Sequence, residues 1–148
     1  MAVIISFLYY AVRMGTPLLF ATTGEVITER AGNLNLGVEG MMAVGAICGY
    51  CLGCFTNSLI IALLAAFVSA ALCAGIYAVL TVTFQTNQTV TGLALTIFGN
   101  GVYLFIGRML TKSGSFPRLS DAEHLQRIVA DNGIPLLRDI PYLGRLLF

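Results

Sequence analysis

The sequence predicts an all-α integral membrane fold of about four transmembrane helices, followed by an amphipathic surface loop over residues 111–148. Hydrophobic residues make up 57% of the 148 residues and charged residues only 10%, whereas soluble domains carry about 25% charged residues. The mean hydropathy is +0.87. Four apolar stretches are long enough to cross about 30 Å of hydrocarbon. These stretches cover residues 2–27, 34–55, 59–82 and 89–110.

The composition argues against nucleic-acid binding and against a metal centre. The net charge is +1 and the sequence contains no basic patch, so little counterion release could support nucleic-acid binding. Cys48, Cys51 and Cys54 resemble part of an iron–sulfur run, but Ser58 occupies the position of the fourth ligand. His124 stands alone. We therefore interpret the cysteines as small packing residues and expect no metal and no cofactor.

The first apolar stretch, residues 2–27, leads into a polar segment. Glu25, Glu29 and Arg30 fall within six positions, and we interpret them as a hinge. A cleavable signal peptide is disfavoured because these charges replace the small-residue cleavage site.

The second stretch, residues 34–55, combines small residues with polar ones. Glycines that recur every fourth position lie along one helix face and allow a neighbouring helix to approach closely. Asn33, Asn35 and Glu39 stand at the head of this stretch, and polar groups at membrane depth are costly unless they face a partner or a cavity. The predicted helix-packing glycines, including one in the fourth stretch, are Gly37, Gly45, Gly49, Gly53 and Gly92.

The third and fourth stretches differ in polarity. Residues 59–82 are almost wholly apolar and carry an alanine stripe at every fourth position, which favours a scaffold role. Along residues 89–110, small and polar side chains share one face, which indicates contact with protein or water rather than lipid. Hydrogen bonding between helices and lining of a passage both explain that face.

After residue 110 the character of the sequence changes, because most of the charge lies in the tail. Ser120-Asp-Ala-Glu123 is a capping box, and it predicts a short helix over residues 121–131. Two prolines follow. The sequence stops inside a fresh apolar run, before a further expected span.

Several blocks of the sequence resemble the permease subunits of bacterial ATP-binding-cassette importers, in the branched-chain amino acid and ribose permease superfamily. The resemblance is greatest to its nucleoside and simple-sugar branch, and it extends over nearly the whole chain. Members are about twice this length, so we expect an N-terminal half of a larger polytopic permease fold. The matching blocks are Thr16-Pro17-Leu-Leu, Glu29-Arg-Ala-Gly32, Asn33-Leu-Asn-Leu-Gly37, Glu39-Gly-Met-Met42, Asn87-Gln88, Gly92-Leu-Ala-Leu95 and Asp139-Ile-Pro-Tyr-Leu-Gly144.

The resemblance implies a transport role in a bacterial inner membrane and no enzyme activity in this chain. A second permease subunit would complete the pathway, a cytoplasmic ATPase would bind the ATP, and an extracytoplasmic lipoprotein would deliver a nucleoside or a sugar. A small self-assembling four-helix channel without an ATPase is the alternative.

The polar residues that we expect to line the substrate pathway lie around the second and fourth spans. Amide groups both donate and accept hydrogen bonds, which suits a ribose or a base. Two structural roles compete with this one: the asparagines could cap a helix, and Glu39 could pair with Arg13 or Arg30. The pathway candidates are Asn33, Asn35, Glu39, Asn87, Gln88, Thr96 and Asn100.

The orientation of the 111–148 loop stays open at this point. Its basic residues favour the cytoplasmic side by the positive-inside rule, whereas the resemblance places it outside.

Overall fold

The computed structural model describes residues 2–112, and this part of the chain is helical with short connections. The predicted helix over 121–131 lies outside the described residues. The elements in chain order are α1 (Ala2–Arg30), α2 (Val38–Thr56), α3 (Leu59–Ala78), a π-helical turn (Val79–Thr83) that continues α3, and α4 (Gln88–Lys112).

Three of the described segments are long and apolar enough to cross a membrane: Val38–Thr56, Leu59–Thr83 and Gln88–Leu110. The predicted all-helical membrane fold is therefore confirmed. Helix α1 is 29 residues long but is not among these three, so a membrane crossing by residues 2–27 stays a prediction.

Helices α2 and α3 form an antiparallel hairpin that packs through small residues. Asn57 ends α2 in the left-handed conformation, with φ at 49°. A Cβ added at Gly49 would lie 2.9 Å from the Cβ of Ala66 and 3.0 Å from the carbonyl oxygen of Ala62. Gly45 meets Ala66 and Ala70 in the same way. The glycine stripe of α2 thus faces the alanine stripe of α3, and the two backbones approach closely.

Helices α2 and α4 make an even closer contact. A Cβ on Gly40 would lie 2.5 Å from the Leu95 carbonyl oxygen, and a Cβ on Gly99 would clash with the Gly40 backbone. Before the helix, Gly37 lies beside Gly92. Because the contacting residue numbers rise together along both segments, α2 and α4 run parallel.

This register places the start of α2 well inside the bundle. Gly99 is the twelfth residue of the 25-residue α4, counted from Gln88. At about 1.5 Å per residue, its level is about 17 Å along α4. Gly40, which touches Gly99, is only the third residue of α2. The connection between α1 and α2 therefore descends about 6–12 Å along α4, to where Leu36 lies beside Gly92 and Thr96, before α2 begins.

A small apolar core joins the three packed helices. Met41 and Val44 of α2 pack with Cys73 and Tyr77 of α3, and Leu95 of α4 lies against them. The outward faces carry large exposed apolar side chains, as suits helices that border lipid or further membrane helices.

Replacing Gly99 by alanine should weaken the packing of α4 on α2. The added methyl group meets backbone rather than a flexible side chain, so we expect the free energy of unfolding in detergent to fall by about 1–3 kcal/mol. Denaturant titration followed by circular dichroism measures this change.

Gly101→Ala is the matched control. It lies two residues further along α4, where an added Cβ meets nothing within 4 Å. Its stability should be unchanged or slightly higher, because alanine favours a helix by up to about 1 kcal/mol over glycine. Equal losses for the two variants would contradict the close contact.

Candidate functional site

The α1–α2 connection, residues 31–37, has no regular helical structure and is called the connector below. It lies against α3 and against residues 88–96 of α4, a helix long and apolar enough to cross a membrane. Irregular backbone at membrane depth is tolerated only where protein or a water-filled cavity satisfies its polar groups. The hydrogen-bond partners of the connector's peptide groups therefore determine whether the connector is stable in this position.

Helix α1 reaches the connector through a glycine-terminated end. Gly32 has φ at +83°, a conformation that glycine adopts without strain. The Asn33 amide donates to the Thr28 carbonyl at 3.0 Å, as in a Schellman motif. The helix thus continues to Arg30, beyond the predicted end at residue 27. The predicted hinge residues are therefore helical, and the irregular segment follows them.

Glu25 is the contribution of α1 to the connector. One carboxylate oxygen accepts a hydrogen bond from the Asn35 amide at 2.7 Å. The other oxygen accepts from the Thr28 hydroxyl at 3.1 Å. A charge-assisted hydrogen bond to a backbone amide is stronger than a neutral one, so Glu25 holds the connector at Asn35 against α1.

Helix α3 contributes Tyr77, which the sequence reading did not single out. Its hydroxyl donates to the Leu34 carbonyl at 2.6 Å, and the residue is only 4% exposed. One turn later, the Thr81 hydroxyl accepts from the Asn33 side-chain amide at 3.4 Å. Thr81 lies in the π-helical turn Val79–Thr83, and such turns often occur at functional positions.

Helix α4 contributes two residues that the sequence predicted as pathway candidates. The Gln88 carbonyl oxygen accepts from the Leu34 amide at 2.8 Å, and its amide donates to the Gly32 carbonyl at 3.4 Å. The Thr96 hydroxyl donates to the Leu36 carbonyl at 2.8 Å. Side chains from α1, α3 and α4 thus bind the connector backbone, and we call this set of bonds the connector clamp.

Asn35 closes the connector with a turn of its own. Its side-chain oxygen accepts from the Gly37 amide at 2.9 Å, and the residue is 8% exposed. Such local bonds compete with helix formation. The second helix accordingly begins at Val38 rather than at the predicted residue 34. Gly37 is the N-cap residue and makes no side-chain cap bond, so Asn35 acts through the preceding turn.

The pathway candidates therefore separate into groups. Asn33, Asn35, Gln88 and Thr96 come together at the connector. Asn87 instead accepts from the Val90 amide at 3.1 Å and caps the start of α4. The side-chain oxygen of Asn33 is buried without a hydrogen-bond partner among the described residues.

Glu39 and Asn100 stand apart from the connector clamp. Glu39 is exposed and Asn100 is half-buried, and neither makes a hydrogen bond or ion pair to any residue in the range 2–112. The alternative pairing of Glu39 with Arg13 or Arg30 is thus absent from the described part of the chain. Arg13 instead lies 3.4 Å from the Tyr9 hydroxyl.

Helix geometry places Glu39 and Asn100 on the same side of the α2–α4 contact. Each residue along a helix is rotated by about 100° from the last. The two helices are parallel and touch at Gly40 and Gly99. In this arrangement Glu39, the residue before Gly40, and Asn100, the residue after Gly99, point to the same side of the contact. By the same rotation, the core residues Met41 and Leu95 turn to the opposite side.

We call this surface the α2–α4 outer face, defined by Glu39 and Ala43 of α2 with Asn100 and Tyr103 of α4. It lies opposite the face that packs on α3. Tyr103 is 45% exposed, and Ala43 is small enough to leave room between the polar groups. On this face, the side chains of Glu39 and Asn100 form no hydrogen bond with another described residue.

Four of the predicted packing glycines make close contacts between segments, whereas the sequence analysis did not predict one further close contact, between α2 and α4. Gly45 and Gly49 contact α3, Gly37 and Gly92 contact each other's segments, and Gly53 is buried in α2. Gly40 and Gly99 make the α2–α4 contact. Gly99 belongs to the small and polar face of α4, so the sequence pattern could have indicated it. Gly40 does not follow the four-residue spacing of the other α2 glycines, so the pattern could not.

Metal ligation finds no support in the described range. Residues 2–112 contain no group of three or more His, Cys, Asp or Glu side chains that could hold a metal ion. The four cysteines are free thiols, and Cys54 and Cys73 are buried.

The comparisons of this chain with known proteins point to transport permeases. A family model described as branched-chain amino acid transport system / permease component matches residues 6–123. The chain is 40% identical over 96 residues to a putative glucose ABC transporter permease of Haloferax volcanii, an alignment that covers 65% of this chain and 29% of that protein. It is 30% identical over 138 residues to a guanosine ABC transporter permease of Bacillus subtilis, covering 89% of this chain and 41% of the relative.

A nucleoside ABC transporter permease of Lactococcus lactis is 26% identical over 139 residues, covering 90% of this chain and 42% of the relative. The chain thus spans less than half the length of these curated relatives. No solved structure matches it significantly.

Tyr77→Phe should loosen the connector. The substitution leaves the Leu34 carbonyl without the hydroxyl donor, and an unsatisfied buried acceptor costs about 1–3 kcal/mol. We expect faster hydrogen exchange of the amides in residues 31–37, measured by mass spectrometry in detergent or nanodiscs.

Tyr103→Phe is the control, since Tyr103 is exposed and makes no bond to the connector. It should leave exchange over residues 31–37 unchanged. A Tyr77→Phe protein with wild-type exchange there would show that the connector does not depend on this bond.

Proposed function

Because the chain belongs to the branched-chain amino acid transport system permease family, we propose that it is a membrane-spanning component of an ATP-binding-cassette importer. It forms part of the translocation pathway for nucleosides or simple sugars in a bacterial inner membrane. The family is one of transport permeases and not of catalytic enzymes.

The observation that carries this proposal is the interrupted entry into α2. The connector descends about 6–12 Å along α4, where Leu36 lies beside Gly92 and Thr96, and α2 then begins with Glu39 in its first turn. Transporters commonly place substrate contacts near the bilayer midplane at such broken helices. A purely structural helical hairpin would have no need for irregular backbone at that depth.

The proposed partners follow from the family. A second permease subunit completes the pathway, an ATPase on the cytoplasmic side binds and hydrolyses ATP, and an extracytoplasmic lipoprotein delivers the solute. The sequence has no Gly-rich phosphate-binding loop of the P-loop type, which supports placing ATP on a partner subunit. The chain itself then needs no cofactor.

The substrate class is inferred from the relatives. Two of them are named for guanosine or nucleosides and one for glucose. These solutes are uncharged and rich in hydroxyl groups. We therefore assign the chain to uptake of neutral, hydroxyl-bearing solutes.

Uptake should require ATP hydrolysis by the partner. We expect membrane vesicles that contain the permease with its ATPase and binding protein to accumulate radiolabelled nucleoside or glucose only when ATP is hydrolysed. An ATPase variant that binds but cannot hydrolyse ATP serves as the control, since it leaves the permease unchanged. Equal uptake without hydrolysis would contradict the importer and favour a self-assembling pore.

A further inference from the structure

We infer that the α2–α4 outer face contacts the transported solute, and that the Glu39 carboxylate recognises two adjacent hydroxyl groups on it. This inference rests on the proposed transport function and deepens it. It assigns the recognition to one carboxylate and to a vicinal diol, a group that ribose and hexoses share.

The first support is the depth of Glu39. Gly40 touches Gly99 near the middle of α4, so the carboxylate lies within the span rather than at its end. Ionised side chains at that depth face a cavity or a partner, because exposure to hydrocarbon is costly. The position in the first turn of α2 also favours a negative charge through the helix dipole.

The second support is that the Glu39 side chain has no partner among residues 2–112. The contrast with Glu25 is direct, since one oxygen of Glu25 accepts a hydrogen bond from the connector and the other accepts one from Thr28 of α1. Glu39 makes no hydrogen bond or ion pair to any described residue. Within the described residues, the Glu25 carboxylate is therefore occupied, whereas the Glu39 carboxylate is available to a ligand.

The third support is the chemistry of the face. An ionised carboxylate only accepts hydrogen bonds, and its two oxygens can each take one donor. Two neighbouring hydroxyl groups supply two donors side by side and bring no charge. Among residues 2–112, Glu39 is not part of any group of three or more His, Cys, Asp or Glu side chains that could hold a metal ion.

Asn100 and Tyr103 complete the recognition surface. The Asn100 amide is half-buried, makes no bond within the described range, and can both donate and accept. Tyr103 presents an exposed ring on the same side of α4, and such a ring can pack against a sugar or a base. Glu39 reads the diol, and these two side chains contact the rest of the solute.

The test compares uptake of a ribonucleoside with its 2′,3′-dideoxy analogue, and of glucose with 2,3-dideoxyglucose, by the assembled importer. The same binding protein is used throughout, so a change between variants originates in the permease. Glu39→Gln should lower uptake of the diol solute about tenfold, as loss of a hydrogen bond to a charged group predicts. Uptake of the dideoxy analogue should stay at its wild-type level.

Two further variants make the result decisive. Glu39→Asp keeps the carboxylate and should retain a preference for the diol. Wild-type uptake of the dideoxy analogue by Glu39→Gln shows that this variant assembles. Glu29→Gln removes an exposed acid at the end of α1, away from the outer face, and should behave as wild type for both solutes of each pair.

The outcomes separate the two proposals. A selective loss of diol uptake in Glu39→Gln supports recognition by Glu39, and the solute pair that responds shows whether ribose or hexose is the source of the diol. Equal loss for diol and dideoxy solutes, or no loss, overturns it while leaving the importer intact. A wild-type importer that takes up neither pair overturns the proposed function as well.

Discussion

The structure depends on one constraint: backbone peptide groups that enter the membrane outside a helix must find hydrogen-bond partners in the protein. The connector meets it with side chains from α1, α3 and α4. The Tyr77 hydroxyl and the Gln88 amide oxygen bind the carbonyl and the amide of Leu34, at 2.6 and 2.8 Å. Glu25 binds the next amide. These hydrogen bonds, and not the start of the apolar stretch at residue 34, therefore determine where along α4 helix α2 begins.

Close helix packing makes the clamp possible. The contact between Gly40 and Gly99 brings α4 against α2 without intervening side chains, so Thr96 can reach the Leu36 carbonyl from the neighbouring helix. The Gly49 contact with α3 anchors the other side of α2. Since lipid tails provide no hydrophobic drive for helix association, such contacts of small residues and polar bonds hold the bundle together. The same packing leaves one face of the α2–α4 pair open.

Local patterns in the sequence were enough to predict the helices, the small-residue stripes and the importance of the polar block from Glu25 to Glu39. They could not predict which stripe meets which helix, because α2 contacts α3 and α4 through different glycines and Gly40 lies off the four-residue period. Tyr77 was overlooked because it stands in an otherwise apolar span, although a buried tyrosine hydroxyl generally has a partner. The division of the pathway candidates required the three-dimensional register: Asn35 and Gln88 face the connector, whereas Glu39 does not.

The depth of the connector tests this account most directly. In a protein whose four native cysteines are replaced by alanine, a nitroxide label at position 36 is compared with one at position 86, in the short loop before α4, using oxygen and nickel-chelate relaxation in lipid vesicles. Contacts of Leu36 with Gly92 and Thr96 predict that the first label lies about 6–12 Å deeper, at about 1.5 Å per residue of α4. Equal depths for both labels would mean that residues 31–37 form a surface loop, and would contradict the interrupted entry into α2.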